Sequence, residues 1–117
     1  MNKTEELKKR LKNFAIAIVH LYESLPERRR AARTIGHQLL RSGTSVAANH
    51  REACRARSRA EFISKIEVCI QEADETMLWL ELLGEGCRID SDALRSLYEE
   101  TNEILSILVA TVRTAKS

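Results

Sequence analysis

The chain has 117 residues, 44% apolar and 31% charged, with four Gly, one Pro and five aromatic side chains among them. That length carries one domain with one core, and so few turn-forming residues exclude an all-β fold, which needs a turn about every 8–12 residues. The net charge is only +2, but residues 27 to 60 hold nine Arg, no Lys and two Glu, whereas residues 61 to 106 hold twelve acidic and three basic groups. An Arg-only block beside an acidic block has two readings, internal or inter-subunit ion pairing and an anion-binding face. No signal peptide and no apolar run near the ~20 residues of a membrane span is present, which points to the cytoplasm. Three Cys (54, 69 and 87) without a C-x-x-C indicate neither a disulfide framework nor a zinc site, and Cys54 and Cys69 read as small packing residues.

In chain order, Leu7, Leu11, Phe14, Ile18, Leu21 and Leu25 recur at alternating spacings of four and three, a heptad seam. The pattern predicts helix 1 over about 4–24, capped by Thr4 and ended before Pro26. Ala17 and His20 fall off the seam, toward a second neighbour or solvent. Glu27 after Pro26 suits a new first turn, so helix 2 is expected over about 28–56, with Ala32, Ile35, Leu39, Val46, Ala47 and Ala53 as its apolar positions. Its middle, RSGTSVAAN, is nearly all small. A break at Gly43 competes with one long helix, bent at Gly43, whose small residues admit a close neighbour; the long helix is favoured. Ser58 and Glu61 form an S-x-x-E capping box ahead of Phe62 and Ile63, and start helix 3 over about 59–84. Gly84 and Gly86 are expected to end it. Asp90, Ser91 and Asp92 offer caps for helix 4, over about 91–114, with a stripe of Leu94, Leu97, Thr101, Leu105, Leu108 and Val112. Ile63, Trp79, Leu82, Leu83, Ile104 and Ile107 widen the apolar faces of helices 3 and 4 beyond one seam, which suggests subunit contacts. Four helices with short connections predict a single all-α domain over 1–117, an antiparallel up-down-up-down four-helix bundle.

A tight turn near 57/58 brings positions summing to about 116 level across helices 2 and 3. Arg55 then lies near Glu61, Asn49 near Glu67, Ser45 or Thr44 near Glu72, and Arg41 near Glu75. Arg41, Asn49, Glu72 and Glu75 are the candidates for an inter-helix polar network that fixes register.

The stretch from Arg41 to Leu83, with S-G-T-S, A-N-x-R-E-A, R-S-x-x-E-F and E-A-D-E-T-x-x-W-L-E-L-L, resembles the bacterial four-helix bundle family of 23S rRNA intervening-sequence proteins. The resemblance implies a small bundle that assembles into a ring-shaped homopentamer of unknown biological role. Accessory variability proteins of diversity-generating retroelements are similar in fold, and bind nucleic acid and a reverse transcriptase through a basic surface.

Catalytic signatures are missing. None of His20, His37 and His50 lies three residues after a Glu, as a di-iron bundle requires, and no H-E-x-x-H, P-loop or G-x-S-x-G occurs. No enzyme, metal or cofactor is expected, and His50, between Asn49 and Arg51, reads as a surface or interface residue. The primary expectation is therefore a structural or protein-interaction ring with an unidentified protein partner. The alternative is RNA or DNA backbone binding through two Arg clusters of helix 2. The first is Arg28, Arg29, Arg30 and Arg33; the second is Arg51, Arg55, Arg57 and Arg59. Lys8, Lys9, Arg10 and Lys12 can extend that surface. Without exposed aromatic pairs, such binding would be directed at phosphate rather than base. Arg51 and Arg55 discriminate the two: engagement by acidic partners favours the ring, and a free face favours nucleic acid.

Overall fold

The computed structural model describes residues 2–117, and among them every regular element is helical. Helix α1 spans Lys3–Ser24, α2 Arg30–Cys54, α3 Arg59–Glu81 with a π-helical extension over Leu82–Gly86, and α4 Asp92–Lys116. Consecutive helices pack antiparallel and α4 returns beside α1, although that last seam is the loosest of the four. The result is an elongated four-helix bundle of 46 × 25 × 19 Å. Among the described residues, no helix is long and apolar enough to cross a membrane.

The heptad seam of α1 turns inward, with Leu11, Phe14, Ile18 and Leu21 buried. Its cap is Asn2 rather than Thr4: the Asn2 carboxamide oxygen accepts from the Glu5 N–H at 2.8 Å, and Glu5 and Glu6 sit where the helix dipole favours acid. Pro26 stops the helix, and Glu27 and Arg28 form a turn instead of opening α2. Helix α2 consequently begins with neither a side-chain cap nor an acidic first turn. A tertiary contact substitutes, since the Arg29 guanidinium donates to the carbonyl of Cys87 after the π turn.

Helix α2 runs unbroken through Gly43, and the physical reason is its distance from α1. A Cβ at Gly43 would lie 2.8–2.9 Å from three side-chain carbons of Ile18, and one at Gly36 would lie 2.6 Å from Leu25 Cδ1. Two glycines one heptad apart therefore let α2 sit closer to α1 than any larger residue permits, which offsets their helix-propensity cost.

At the α3 start, the Ser58 hydroxyl accepts from Glu61 N at 3.1 Å, while the Glu61 carboxylate reaches back to Arg57 N at 2.9 Å. The other end departs from expectation. Gly84 does not stop α3; the chain widens into a π turn in which Cys87 N–H reaches Leu82 O, and Ile89 N–H closes on Leu83 O. The left-handed residue of this stop is Arg88, with φ of 59°, and not a glycine. Ser91 caps α4 through Leu94 N.

Much of the supposedly surplus apolar surface is buried within the chain. Leu83 and Ile104 are fully buried, and Ile63, Trp79 and Ile107 are half-buried. What remains exposed is Leu78 and Leu82, one turn apart on the outer face of α3, together with Ile16 on α1.

Candidate assembly and polyanion-binding surfaces

Helix α2 positions both Arg clusters, and its 25 residues hold them about 37 Å apart. Arg28, Arg29, Arg30 and Arg33 lie at the α1–α2 turn, and Arg51, Arg55, Arg57 and Arg59 at the α2–α3 turn. All eight are exposed, yet the structure does not bring the two groups onto one surface.

The groups also differ in what they touch. Arg29 is tethered to Cys87, and Arg33 donates to the Glu27 carbonyl at 3.4 Å. Close to this turn lie the α3–α4 connection and its carboxylates, Glu85, Asp90 and Asp92. At the opposite end, none of Arg51, Arg55, Arg57 and Arg59 forms an ion pair among the described residues. Glu61 faces the Arg57 backbone rather than Arg55. Lys8 of α1 lies close enough to His50 and Cys54 to influence both, which puts the basic start of α1 beside the end of α2.

The polar contacts between α2 and α3 are partly those expected. Arg41 spans Glu72 at 2.9 Å and Glu75 at 2.7 Å. Asn49 does not join them: its Nδ2 donates to Ser45 O and Oγ, within its own helix. Thr44 likewise turns back, to Leu40 O, rather than reaching Glu72. Register is held instead by a buried pair that the charge pattern does not reveal, Ser42 Oγ and Thr76 Oγ1 at 2.8 Å, with Thr76 also donating to Glu72 O. The two positions sum to 118, so the same antiparallel level rule is the signal that finds them.

The α1–α4 seam is open. A groove of about 1000 Å³ runs along it, floored by Phe14, Ala17, Leu21 and Leu97, with Glu6, Lys9, Glu99 and Glu103 along its rims. Small residues, Ala17, Ala93 and Ser96, leave it unfilled. Arg10 closes one point, pairing with both carboxylate oxygens of Glu100 at 2.7 and 2.8 Å and with Glu103 at 3.3 Å. The Glu100 hydrogen bonds make the guanidinium harder still to deprotonate, against a desolvation effect of the opposite sign.

His50 corrects the surface reading: it is 4% exposed and lies on the inward seam of α2 with Gly43, Val46 and Ala53. Burial, reinforced by the Lys8 charge, lowers its pKa, and its polar neighbour is the Cys54 sulfur at 3.8 Å. The Cys54 and Cys69 thiols are poor nucleophiles, since burial raises the Cys54 pKa and pushes that of Cys69 up to about 12. All three cysteines are free, and no group of three or more metal-ligating side chains occurs among the described residues.

A protein with unknown function from the S23 ribosomal protein family of Bacteroides thetaiotaomicron has a solved structure that superposes with a TM-score of 0.82. It is 39% identical, over 91% of this chain and 97% of that one. No curated protein matches the chain. The family model described as 23S rRNA-intervening sequence protein matches residues 3–110, and the chain belongs to that family.

Proposed function

We propose that this protein is a non-catalytic helical scaffold that associates with copies of itself into a closed ring, a homopentamer, in the cytoplasm, and offers its outer faces to a protein partner. The observation that carries the reading is the incomplete α1–α4 seam, where Phe14, Leu21 and Leu97 floor a groove that the chain itself does not fill. Leu78, 47% exposed, and Leu82, 36% exposed, add an apolar outer face on α3. The exposed apolar face favours burial against another subunit, and the unfilled groove gives a neighbouring side chain a place to pack.

Size-exclusion chromatography with light scattering tests it. A pentamer of the 13.3 kDa chain has a mass of roughly 66 kDa. Substitution of Leu78→Lys with Leu82→Lys, or of Ala17→Glu in the groove, is expected to shift that mass toward the single chain while far-UV circular dichroism stays helical. A wild-type mass of one chain at all concentrations refutes the reading.

A second reading is favoured by a separate observation: Arg51 and Arg55 have no acidic partner among the described residues of their own chain. That is the arrangement expected of a surface that binds a nucleic-acid backbone.

A further inference from the structure

The linear sequence places its basic excess in residues 27 to 60, but the fold redistributes it. The start of α1, the α2–α3 turn and the end of α4 occupy one end of the bundle. Lys8 lies near His50 and Cys54, and Lys116 reaches Glu67 at 3.3 Å. A cut across the bundle at the level of the Ile18–Gly43 contact separates two unlike halves. Residues 2–18, 43–73 and 107–117 hold twelve basic and six acidic groups, a net of +6, and the remainder holds seven and eleven, a net of −4. Arg10 reaches Glu100 and Glu103 across this cut, Glu99 lines the same groove, and counting those three acids with the positive end still leaves it at +3 against −1.

Most of the described basic groups at the positive end also stand without an ion pair. Among the described residues, its ion pairs within that end are Lys8–Glu5, Lys65–Glu52 and Lys116–Glu67. Arg51, Arg55, Arg57, Arg59 and Arg113 have none there. In the other half, Arg95 pairs with Asp90 and Asp92, Arg41 pairs with Glu75 and, across the cut, with Glu72, and Arg29 is held by a backbone carbonyl, so net charge rather than pairing sets the two ends apart.

We infer that the end of the bundle formed by the α1 start, the α2–α3 turn and the α4 end is the docking surface for the phosphate backbone of a double-stranded nucleic acid, and that the Arg28–Arg33 end is not. This rests on the second reading above and narrows it to one end. Exposed forked guanidinium groups match phosphate oxygens bidentately. A duplex fits better than a single strand because the end offers no aromatic platform: Phe14 is buried, Phe62 half-buried, and Trp79, Tyr22 and Tyr98 lie in the other half. A second copy docked end to tail fits less well, because the negative end also exposes Arg28, Arg30, Arg33 and Arg88, which a second positive end would meet.

Fluorescence anisotropy with a labelled DNA duplex, an RNA duplex and a single strand of equal length tests this, across salt from about 50 to 200 mM. Arg55→Glu/Arg57→Glu/Arg59→Glu is compared with Arg28→Glu/Arg30→Glu/Arg33→Glu, the same charge change at the other end, with folding and mass checked for each. Arg55→Gln/Arg57→Gln/Arg59→Gln serves as the milder variant. The wild type is expected to bind both duplexes. The near-end Glu variant should bind DNA at least about ten-fold more weakly, with a log–log salt slope shallower by about 2.7, the loss of three phosphate contacts, and the far-end variant should stay within about two-fold. Equal losses in both variants overturn the end assignment while leaving polyanion binding intact. No wild-type binding at the lowest salt refutes the underlying reading, and with it the inference. Tighter binding of the single strand, or salt-sensitive self-association in place of duplex binding, overturns the choice of a duplex.

Discussion

Gly43→Ala isolates the close α1–α2 approach from every other feature of the bundle. The added methyl would lie 2.8–2.9 Å from Cγ1, Cδ1 and Cγ2 of Ile18, against a normal carbon contact of about 3.5–4.0 Å. Ile18 is fully buried, so its side chain has no solvent to swing into. Overpacking of this kind costs about 1–3 kcal/mol. Replacing glycine inside a helix returns up to about 1 kcal/mol of propensity. The packing effect wins, for a net loss of about 1–2 kcal/mol, or a fall in melting temperature of roughly 3–10 °C.

The decisive assay is a double-mutant cycle followed by urea denaturation. Ile18→Ala removes all three offending carbons, and in that background Gly43→Ala should become stabilising by up to about 1 kcal/mol. Ile18→Val removes only Cδ1, keeps the two Cγ atoms, and should leave Gly43→Ala destabilising. If Gly43→Ala stabilises the wild-type protein, or if its effect is the same in the Ile18→Val and Ile18→Ala backgrounds, the close-approach explanation of the glycine is wrong.

Three further outcomes are expected. Arg88→Gly should stabilise the protein by about 0.5–1 kcal/mol in the same denaturation assay, because Arg88 is exposed and holds φ of 59°, where an L side chain is strained and glycine is not. Stability should fall on acidification below about pH 6.5: with the His50 pKa lowered in the fold, the unfolded chain binds the proton more readily, so the contribution is complete above the ordinary histidine value and is lost as pH drops toward the depressed one. Urea midpoints measured from about pH 7.5 to 5.0 check this, and His50→Gln should flatten the slope. Thr76→Val leaves the buried Ser42 hydroxyl only its long 3.5 Å bond to Leu39 O and should cost about 1–2 kcal/mol, whereas Ser42→Ala/Thr76→Val together should cost less than the sum of the single changes, measured as a second cycle.

The helices are legible in the sequence because a heptad seam encodes both the element and its inward face. Leu11, Phe14, Ile18 and Leu21 need no tertiary information to be placed. The ends of elements are less so. Proline followed by Glu27 reads as a first helical turn, but the start of α2 is fixed by Arg29 reaching Cys87, fifty-eight residues away along the chain. The glycines of Leu82–Gly86 announce a change in the chain without specifying that the helix widens before it stops. The polar neighbours of His50 suggest a surface position, although its spacing from Gly43, Val46 and Ala53 puts it on the buried seam. The groove between α1 and α4 has no local signature, because it arises from small residues on two helices that meet only through the final turn of the topology.

Charge shows why the candidate sites are harder to read than the core. A seam is a property of one helix, so sequence distance preserves it. A surface is a property of one end of the bundle, assembled from segments that alternate in direction. Arg30 and Arg55, counted together in one basic block, bracket α2 and stand at opposite ends of the molecule. Lys3 and Arg113, at opposite ends of the chain, belong to the same end of the bundle because an even number of antiparallel helices returns the last terminus to the level of the first. Arg41 bridges Glu72 and Glu75 near mid-length, where the basic and acidic blocks do cancel as the hairpin requires. Beyond that point the Arg residues of the α2–α3 turn outnumber the acids within reach, and the unpaired positive charge collects at the end where both termini of the described chain also lie.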